Sequence, residues 1–531
     1  MKIQGARRMI GRAIALTRLI SAKRAKQSAT GSQNIYRSIS SHVVTSNKVS
    51  SGQEMTDQNN NIGCSQSGLT VIEQLGHLFK LKEIPNTSNW IVETKIQSLC
   101  NAYVALSKND KETFLRTLAS KYAVDHDVVR KMAFNLACDE KKQLDERQMI
   151  NGERTLKNVL TPKYHWLFLL TGRLKHGVKF LVDLRTDVLN LLSELKDPDE
   201  TIVAQQLNIT LHDLLLQWFS VGFFDLERVT WQSSCEMLEK VSNYEMIHPI
   251  KNWTDLKRRV GPYRRCYVFT HRAMPREPLV VLHTALCGSI PSSVKEVFQT
   301  EAQTDGMYGK AESSAPEDTS KIKAAVFYSI ASTQRGLQGI ELGNYLIKNV
   351  AAKVLEEFPL IDQLSSLSPI PNYRIWLLER IKNDVGQTFT KEERQLIGSL
   401  LCSTDIHTAL KKVLSNSLWI NNKDIVEALR VPLLRSCASY LYNEKRRNYA
   451  LNNVANFHLR NGAVMWRINW LADPSPRGAA NSCGIMVNYR YYLHETETNS
   501  RNYIERNIIK ASEDVIRLAA ESETLLQKSR L

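Results

Sequence analysis

Apolar residues along this chain fall into two textures. From about residue 66 to 221 they recur at helical spacing. Phe114, Leu118 and Tyr122 make one stripe, and Val188, Leu191, Leu192 and Leu195 another. That spacing lines one face of an α-helix. Pro85, Pro162 and Pro198 fall between the periodic runs, where a helix can begin or end. The pattern predicts an all-helical bundle over 66–221 whose stripes pack on one another rather than line a cofactor site.

From about residue 222 the texture changes. Arg265–His271 and Pro278–Leu286 are short runs rich in β-branched and aromatic residues, split by Arg272–Glu277, so a hairpin is expected. The polar stretch Gln303–Ser320 reads as a surface loop. Lys323–Ile330 has the composition of a buried strand. A helix from about Gly339 to Phe358 follows, then a strand at Leu364–Ser368 ended by Pro369. Strand, helix, strand is an α/β crossover unit. Residues 372–445 are mostly helical again, and no fixed-period repeat is present.

Charge alters this picture only at the ends. The formal net charge is +16, but ten of those charges lie before Glu54, the first acidic residue, which leaves +6 for the rest. A nucleic-acid partner is therefore not expected. Residues 1–26 are rich in Arg, Lys, Ser and Ala and can place Ile3, Ile10 and Ile14 on one helical face. This is the composition of a mitochondrial transit peptide. Residues 27–65 read as a polar linker, and Met55 is a candidate internal start. Ser529, Arg530 and Leu531 match the peroxisomal Ser-Lys-Leu address with Arg for Lys. No run of 18 apolar residues exists, so no membrane span is expected. The nine cysteines show no zinc-ligand spacing, and reduced thiols in an intracellular compartment are expected.

Three segments could carry chemistry. Gln334–Gly343 is a glycine-rich turn between a strand and a helix. Its backbone amides could approach a phosphate, or it could be an ordinary connection. Ser365–Pro371 places serines at a strand end before proline, where a hydroxyl is fixed in direction. Asn456–Gly462 puts His458 in an expected loop, whereas His283, inside an apolar strand, reads as a satisfied core histidine.

Phe224–Trp231, His248–Trp253, Lys257–Cys266, the glycine turn, Ser365–Pro371 and Asn453–Trp470 together resemble the malonyl-CoA decarboxylases, in order from about residue 70 onward. The resemblance implies an α+β multidomain fold: an N-terminal all-helical bundle and a C-terminal acetyltransferase-like (GNAT-like) α/β catalytic domain over 222–531. It implies a carboxy-lyase that converts malonyl-CoA to acetyl-CoA and CO2 without a metal or organic cofactor. His458 and Ser368 match the family's catalytic pair, and Ser329 and Glu341 match supporting positions. Gln338, Gly339, Ile340, Glu341, Leu342, Gly343 and Asn344 match the CoA-ester turn, completed by Ser368 and His458. Cys235 matches a cysteine of interchain disulfides, although a reduced thiol is the default here. Family members form homotetramers and occur in mitochondria, peroxisomes and cytosol, which implies the corresponding import machinery as partners. On this reading His458, titrating near working pH, protonates the enolate. An acyl-CoA-dependent acetyltransferase and a non-catalytic CoA-ester-binding scaffold are the alternatives.

Overall fold

Eight helices precede the first strand among the described residues. They are α1 (Gln66–Glu83), α2 (Asn89–Val104), α3 (Lys108–Lys121), α4 (His126–Cys138), α5 (Glu146–Val159), α6 (Lys163–Thr171), α7 (Gly177–Glu194) and α8 (Pro198–Trp218). Local chemistry sets their ends. The Ser107 hydroxyl accepts from the Asp110 N–H to cap α3, and Asp197 accepts from Asp199 ahead of Pro198 at the start of α8. Phe114, Leu118 and Tyr122 are buried, as are Val188 and Leu191. Both expected stripes therefore face a core.

The computed structural model describes residues 65–85, 87–138, 146–219, 224–298, 317–340 and 343–530. The expected transit peptide at 1–26, most of the 27–65 linker, the polar loop up to residue 316, Glu341 and Leu342 lie outside the described residues. So do Leu531 and the side chains of Gly343, Asn344, Ser529 and Arg530.

Beyond residue 223 the chain builds an eight-stranded sheet. Its strands are β1 (Phe224–Val229), β2 (Arg264–His271), β3 (Val280–Cys287), β4 (Ala324–Ser332), β5 (Gln363–Ser366), β6 (Ser368–Pro369), β9 (Val464–Asn469) and β10 (Met486–Tyr491), while β7 (Lys445–Arg446) and β8 (Tyr449–Ala450) form a separate pair. The order is β1-β2-β3-β4-β5-β10-β6, with β9 on β10. All pairs are antiparallel except β4 with β5. The expected hairpin is β2–β3, and the expected crossover runs from β4 through α11 (Gly343–Glu357) to β5. Helices α9 (Cys235–Tyr244) and α10 (Trp253–Arg259) follow β1 and cover one face through Leu238, Val241 and Leu256. On the other face α11 packs with Leu346, Val350 and Val354. Further helices are α12 (Tyr373–Asn383), α13 (Lys391–Leu400), α14 (Ile406–Val413), α15 (Lys423–Tyr442), α16 (Asn453–Arg460), α17 (Pro476–Ser482), α18 (Thr496–Arg506) and α19 (Glu513–Arg530).

Helical and sheet regions share one apolar core, which includes Leu75 of α1, Leu181 of α7, Leu282 of β3 and Val515 of α19. From Gly63 onward the chain is one compact unit.

Three expectations change. Helix α11 starts at Gly343 rather than near Gly339, because Gly339 has φ +87° and cannot extend a right-handed helix. The strand expected at 364–368 is broken at Leu367 into β5 and β6. His458 lies on helix α16, not in a loop. The Asn452 side chain caps that helix by accepting from the Ala455 N–H at 2.9 Å, so the asparagine marks a helix start.

The glycine turn docks backbone to backbone on α7. A Cβ at Gly336 would stand 1.9 Å from the Val182 carbonyl oxygen, and the Arg185 guanidinium donates to the Gly336 carbonyl at 2.6 Å. Gly336→Ala is expected to lower unfolding stability by about 2 kcal/mol or more. A thermal midpoint within about 1 °C of the parent would contradict this docking.

Candidate active site

The register of the sheet opens a cleft. Strands β4 and β5 pair in parallel only from Ala324↔Gln363 to Phe327↔Ser366. Beyond that point β4 stays with β3, through a register shift at His283/Thr284 that leaves Tyr328 without a partner on β3. The chain meanwhile steps past Leu367 into β6, which pairs with β10 through Val487↔Ser368 and Met486↔Pro369. The two directions diverge, and a cavity of about 920 Å³ occupies the gap. That volume suits a sizeable organic ligand. Its walls include Phe327, Tyr328, Gln334, Arg335, Leu337–Ile340 and Leu367–Pro369, with Asn453, Asn456, Phe457, His458, Arg460 and Asn461 from α16 and the turn after it. Arg335 and Arg460 are the cationic side chains of this wall, and no carboxylate lines it among the described residues. An anionic ligand is therefore favoured.

Ser368 and His458, ninety residues apart, meet in this cleft: Oγ lies 2.8 Å from Nε2. Ser366 Oγ lies 2.8 Å from Ser368 Oγ, and Tyr491 Oη 2.7 Å from His458 Nδ1. The result is a buried line of groups, Ser366–Ser368–His458–Tyr491. Each hydroxyl in it can donate or accept, so the imidazole tautomer follows from the direction the line adopts. The Tyr489 ring stacks on the imidazole at 4.3 Å with planes 16° apart. Burial pushes His458 down to about 3 and raises the Tyr491 phenol. The expectation of an imidazole that titrates near working pH is thus corrected. Burial favours the neutral ring, and among the described residues no carboxylate stands beside it.

Ser329 and His283 lie on the neighbouring part of the sheet. The Ser329 hydroxyl donates to Glu245 at 2.6 Å, and the other Glu245 oxygen accepts the N–H groups of Ile247 and His248 at 2.8 Å each. Burial opposes the Glu245 charge, but the His283 ring beside it and the hydrogen bonds from Ser329 and His248 hold its carboxyl below the ordinary range. Ile247 and Tyr328 both reach the cavity, so Ser329 braces the wall from behind. His283 is buried as expected, but it is not satisfied. Nε2 is 3.4 Å from Glu245, and neither ring nitrogen makes a hydrogen bond. Burial holds this ring neutral, down to about 4.

Of the expected turn residues, Gln338, Gly339 and Ile340 line the cavity. Glu341 and Leu342 are not described, and Gly343 and Asn344 begin α11. Cys235 is an exposed free thiol at the start of α9, and the described cysteines form no disulfide. Sequence reasoning passed over Tyr491, Tyr489 and Glu245, and singled out Ser366 only as part of the Ser365–Pro371 segment. The alternation of Val487, Tyr489 and Tyr491, which face one core, was the available signal for the two tyrosines.

The neutral rings set an acid sensitivity. In the unfolded chain a histidine titrates near about 6.5. Above that pH burial of a neutral ring costs nothing in proton linkage. As pH falls from there toward 3, the unfolded state takes up a proton that folded His458 refuses, so stability drops. Between pH 7 and 5 His458→Asn is expected to lose about 2 kcal/mol less stability than the parent. Urea unfolding at the two pH values measures this, and equal losses in both proteins would contradict the neutral ring.

Two family models match the chain: the malonyl-CoA decarboxylase N-terminal domain over residues 122–219 and the C-terminal domain over residues 222–529. A malonyl-CoA decarboxylase named as mitochondrial from Anser anser anser is 45% identical over 422 residues, covering 78% of this chain and 81% of that one. Its counterpart from Mus musculus is 44% identical over 420 residues, covering 78% and 82%. The crystal structure of malonyl-CoA decarboxylase from Rhodopseudomonas palustris superposes with a TM-score of 0.71 at 28% identity, covering 85% of this chain and 99% of that chain. The chain belongs to the malonyl-CoA decarboxylase family.

Proposed function

We propose that this protein removes the terminal carboxylate of malonyl-CoA as CO2 and leaves acetyl-CoA. The observation that carries the proposal is the neutral Ser368–His458 pair, buried at a cleft with cationic residues and no described carboxylate on its wall.

Loss of CO2 leaves the electron pair of the broken C–C bond on the α-carbon. The thioester carbonyl takes it up as an enolate, so the substrate carries its own electron sink. What the protein must supply is position, a dry site and one proton. Position comes from the glycine turn and from Arg335 and Arg460, which suit the phosphates of a CoA ester. The malonyl carboxylate enters beside an uncharged imidazole. That carboxylate is the opposite charge His458 lacks in the free protein, so its arrival raises the imidazole pKa and draws in a proton. When CO2 departs, the negative charge moves to the enolate, still within reach of the pair. Both ring nitrogens are engaged, Nδ1 by Tyr491 and Nε2 by Ser368. Delivery therefore runs through Ser368: its hydroxyl proton goes to the α-carbon, and the imidazolium replaces that proton. His458 is the proton source and Ser368 the group that touches carbon. Ser329 supports the wall, and Glu341 is kept as an orienting group in the turn.

Location and assembly belong to the same proposal. The curated relatives are named as mitochondrial, the acid-free residues 1–26 suit mitochondrial import, and Ser529–Leu531 suit a peroxisomal receptor. A homotetramer completes the reading, with Cys235 exposed on the single chain.

Carboxyl-labelled malonyl-CoA supplied alone, with no acyl acceptor, is expected to release labelled CO2. An acetyltransferase or a binding scaffold would release none. His458→Ala and Ser368→Ala are each expected to lower kcat by about 10^2- to 10^4-fold, with a smaller change in KM. Full turnover by His458→Ala would remove the proposed proton source.

A further inference from the structure

The glycine turn of the CoA-ester site is held from beneath by the helical region. Arg185 on α7 is buried at 4% exposure. Its Nη1 donates to the Gly336 carbonyl at 2.6 Å, and its Nε donates to the Asn208 side-chain oxygen on α8 at 3.0 Å. Both acceptors are neutral. No carboxylate pairs with this guanidinium among the described residues. Burial pushes it down from its ordinary value, though an arginine keeps its proton at any working pH. An unpaired buried charge is costly to hold. The fold could have met a packing need here with an apolar side chain, since Gly336 already lies against the Val182 backbone. Farther along the turn, His212 on α8 stands beside Gly339, with Nε2 3.7 Å from where a Cβ would sit. The cavity runs along this same turn, through Arg335, Gln338 and Gly339. A fixed positive charge at the back of a turn that receives an anion is matched only when that anion binds.

We propose that α7 and α8 back the glycine turn of the CoA-ester site, with Arg185 as its positioning residue: it fixes the turn through the Gly336 carbonyl and keeps an unmatched positive charge behind it for the anionic ester. The inference rests on the CoA-ester reading given above and adds the helical region as a support of the substrate site. Arg185 touches no reacting atom, so its effect falls on ester binding rather than on carbon–carbon cleavage.

Three variants separate geometry, charge and folding in the full chain. Arg185→Met removes both the charge and the bond. It is expected to raise KM for malonyl-CoA and the calorimetric Kd for CoA by about 10- to 100-fold, and to lower kcat by no more than about threefold. Arg185→Lys keeps the charge but not the fork, and is expected to recover part of the affinity. Asn208→Ala frees only Nε and is expected to give a smaller rise in KM. It keeps the test open should Arg185→Met fail to fold. Two outcomes overturn the proposal: KM and Kd unchanged in folded variants, or kcat falling in step with the folded fraction while KM stays fixed. A parent protein that binds CoA but releases no CO2 from malonyl-CoA would defeat the decarboxylase reading, and the CoA Kd series would still decide the role of Arg185.

Discussion

The hydrogen bond between Ser368 and His458 organises this molecule. A histidine that is buried with a hydroxyl on each ring nitrogen and a tyrosine stacked on its face has no charge of its own to offer. In the proposed mechanism its chemistry is switched on by what enters the cleft. An anionic substrate is both the ligand that the cationic walls attract and the countercharge that lets the imidazole hold a proton. The acid of the reaction is then assembled only when there is something to protonate, which keeps an imidazolium out of an apolar interior between turnovers.

The rest of the fold brings that pair together and holds the cleft open. Strands β4 and β5 pair for four residues and then part, because β4 remains with β3 while β6 is taken by β10. Proline at 369 has no N–H to offer a further strand, which suits its half-buried place at the lip of the gap. Helix α16 carries His458 to the cleft from one side. The turn Gln334–Ile340 closes another, and its backbone lies so close to α7 that residue 336 has room only for glycine. The helical region is therefore part of the cleft's construction, through Val182 and Arg185, and not only a neighbour.

Much of this was legible in the sequence. The helical stripes, the β2–β3 hairpin, the β4–α11–β5 crossover and the serines at 365–368 announced themselves by period and composition, because local burial dictates both. The segment around His458 misled for a physical reason. Asparagine and glycine mark helix ends as readily as loops, and only the burial of Ala455, His458 and Leu459 on one side tells them apart. The neutrality of the ring was beyond reach, since it depends on Tyr489 and Tyr491 arriving from a strand thirty residues away. Glu245 was equally hidden. Its three hydrogen-bond donors come from β4 and from its own turn, and a lone glutamate at a helix end looks like any solvated charge until they close around it.

The protonation state of His458, with and without a carboxylate in the cleft, is the quantity on which the account turns. Nitrogen NMR of imidazole-labelled protein at neutral pH reads it directly, in the free state and with an unreactive thioether analogue of malonyl-CoA. The free protein is predicted to show one bare and one protonated ring nitrogen, widely separated in shift, and the complex to show the closely spaced pair of an imidazolium. An imidazolium already present in the free protein, or a ring left neutral in the complex, would contradict it.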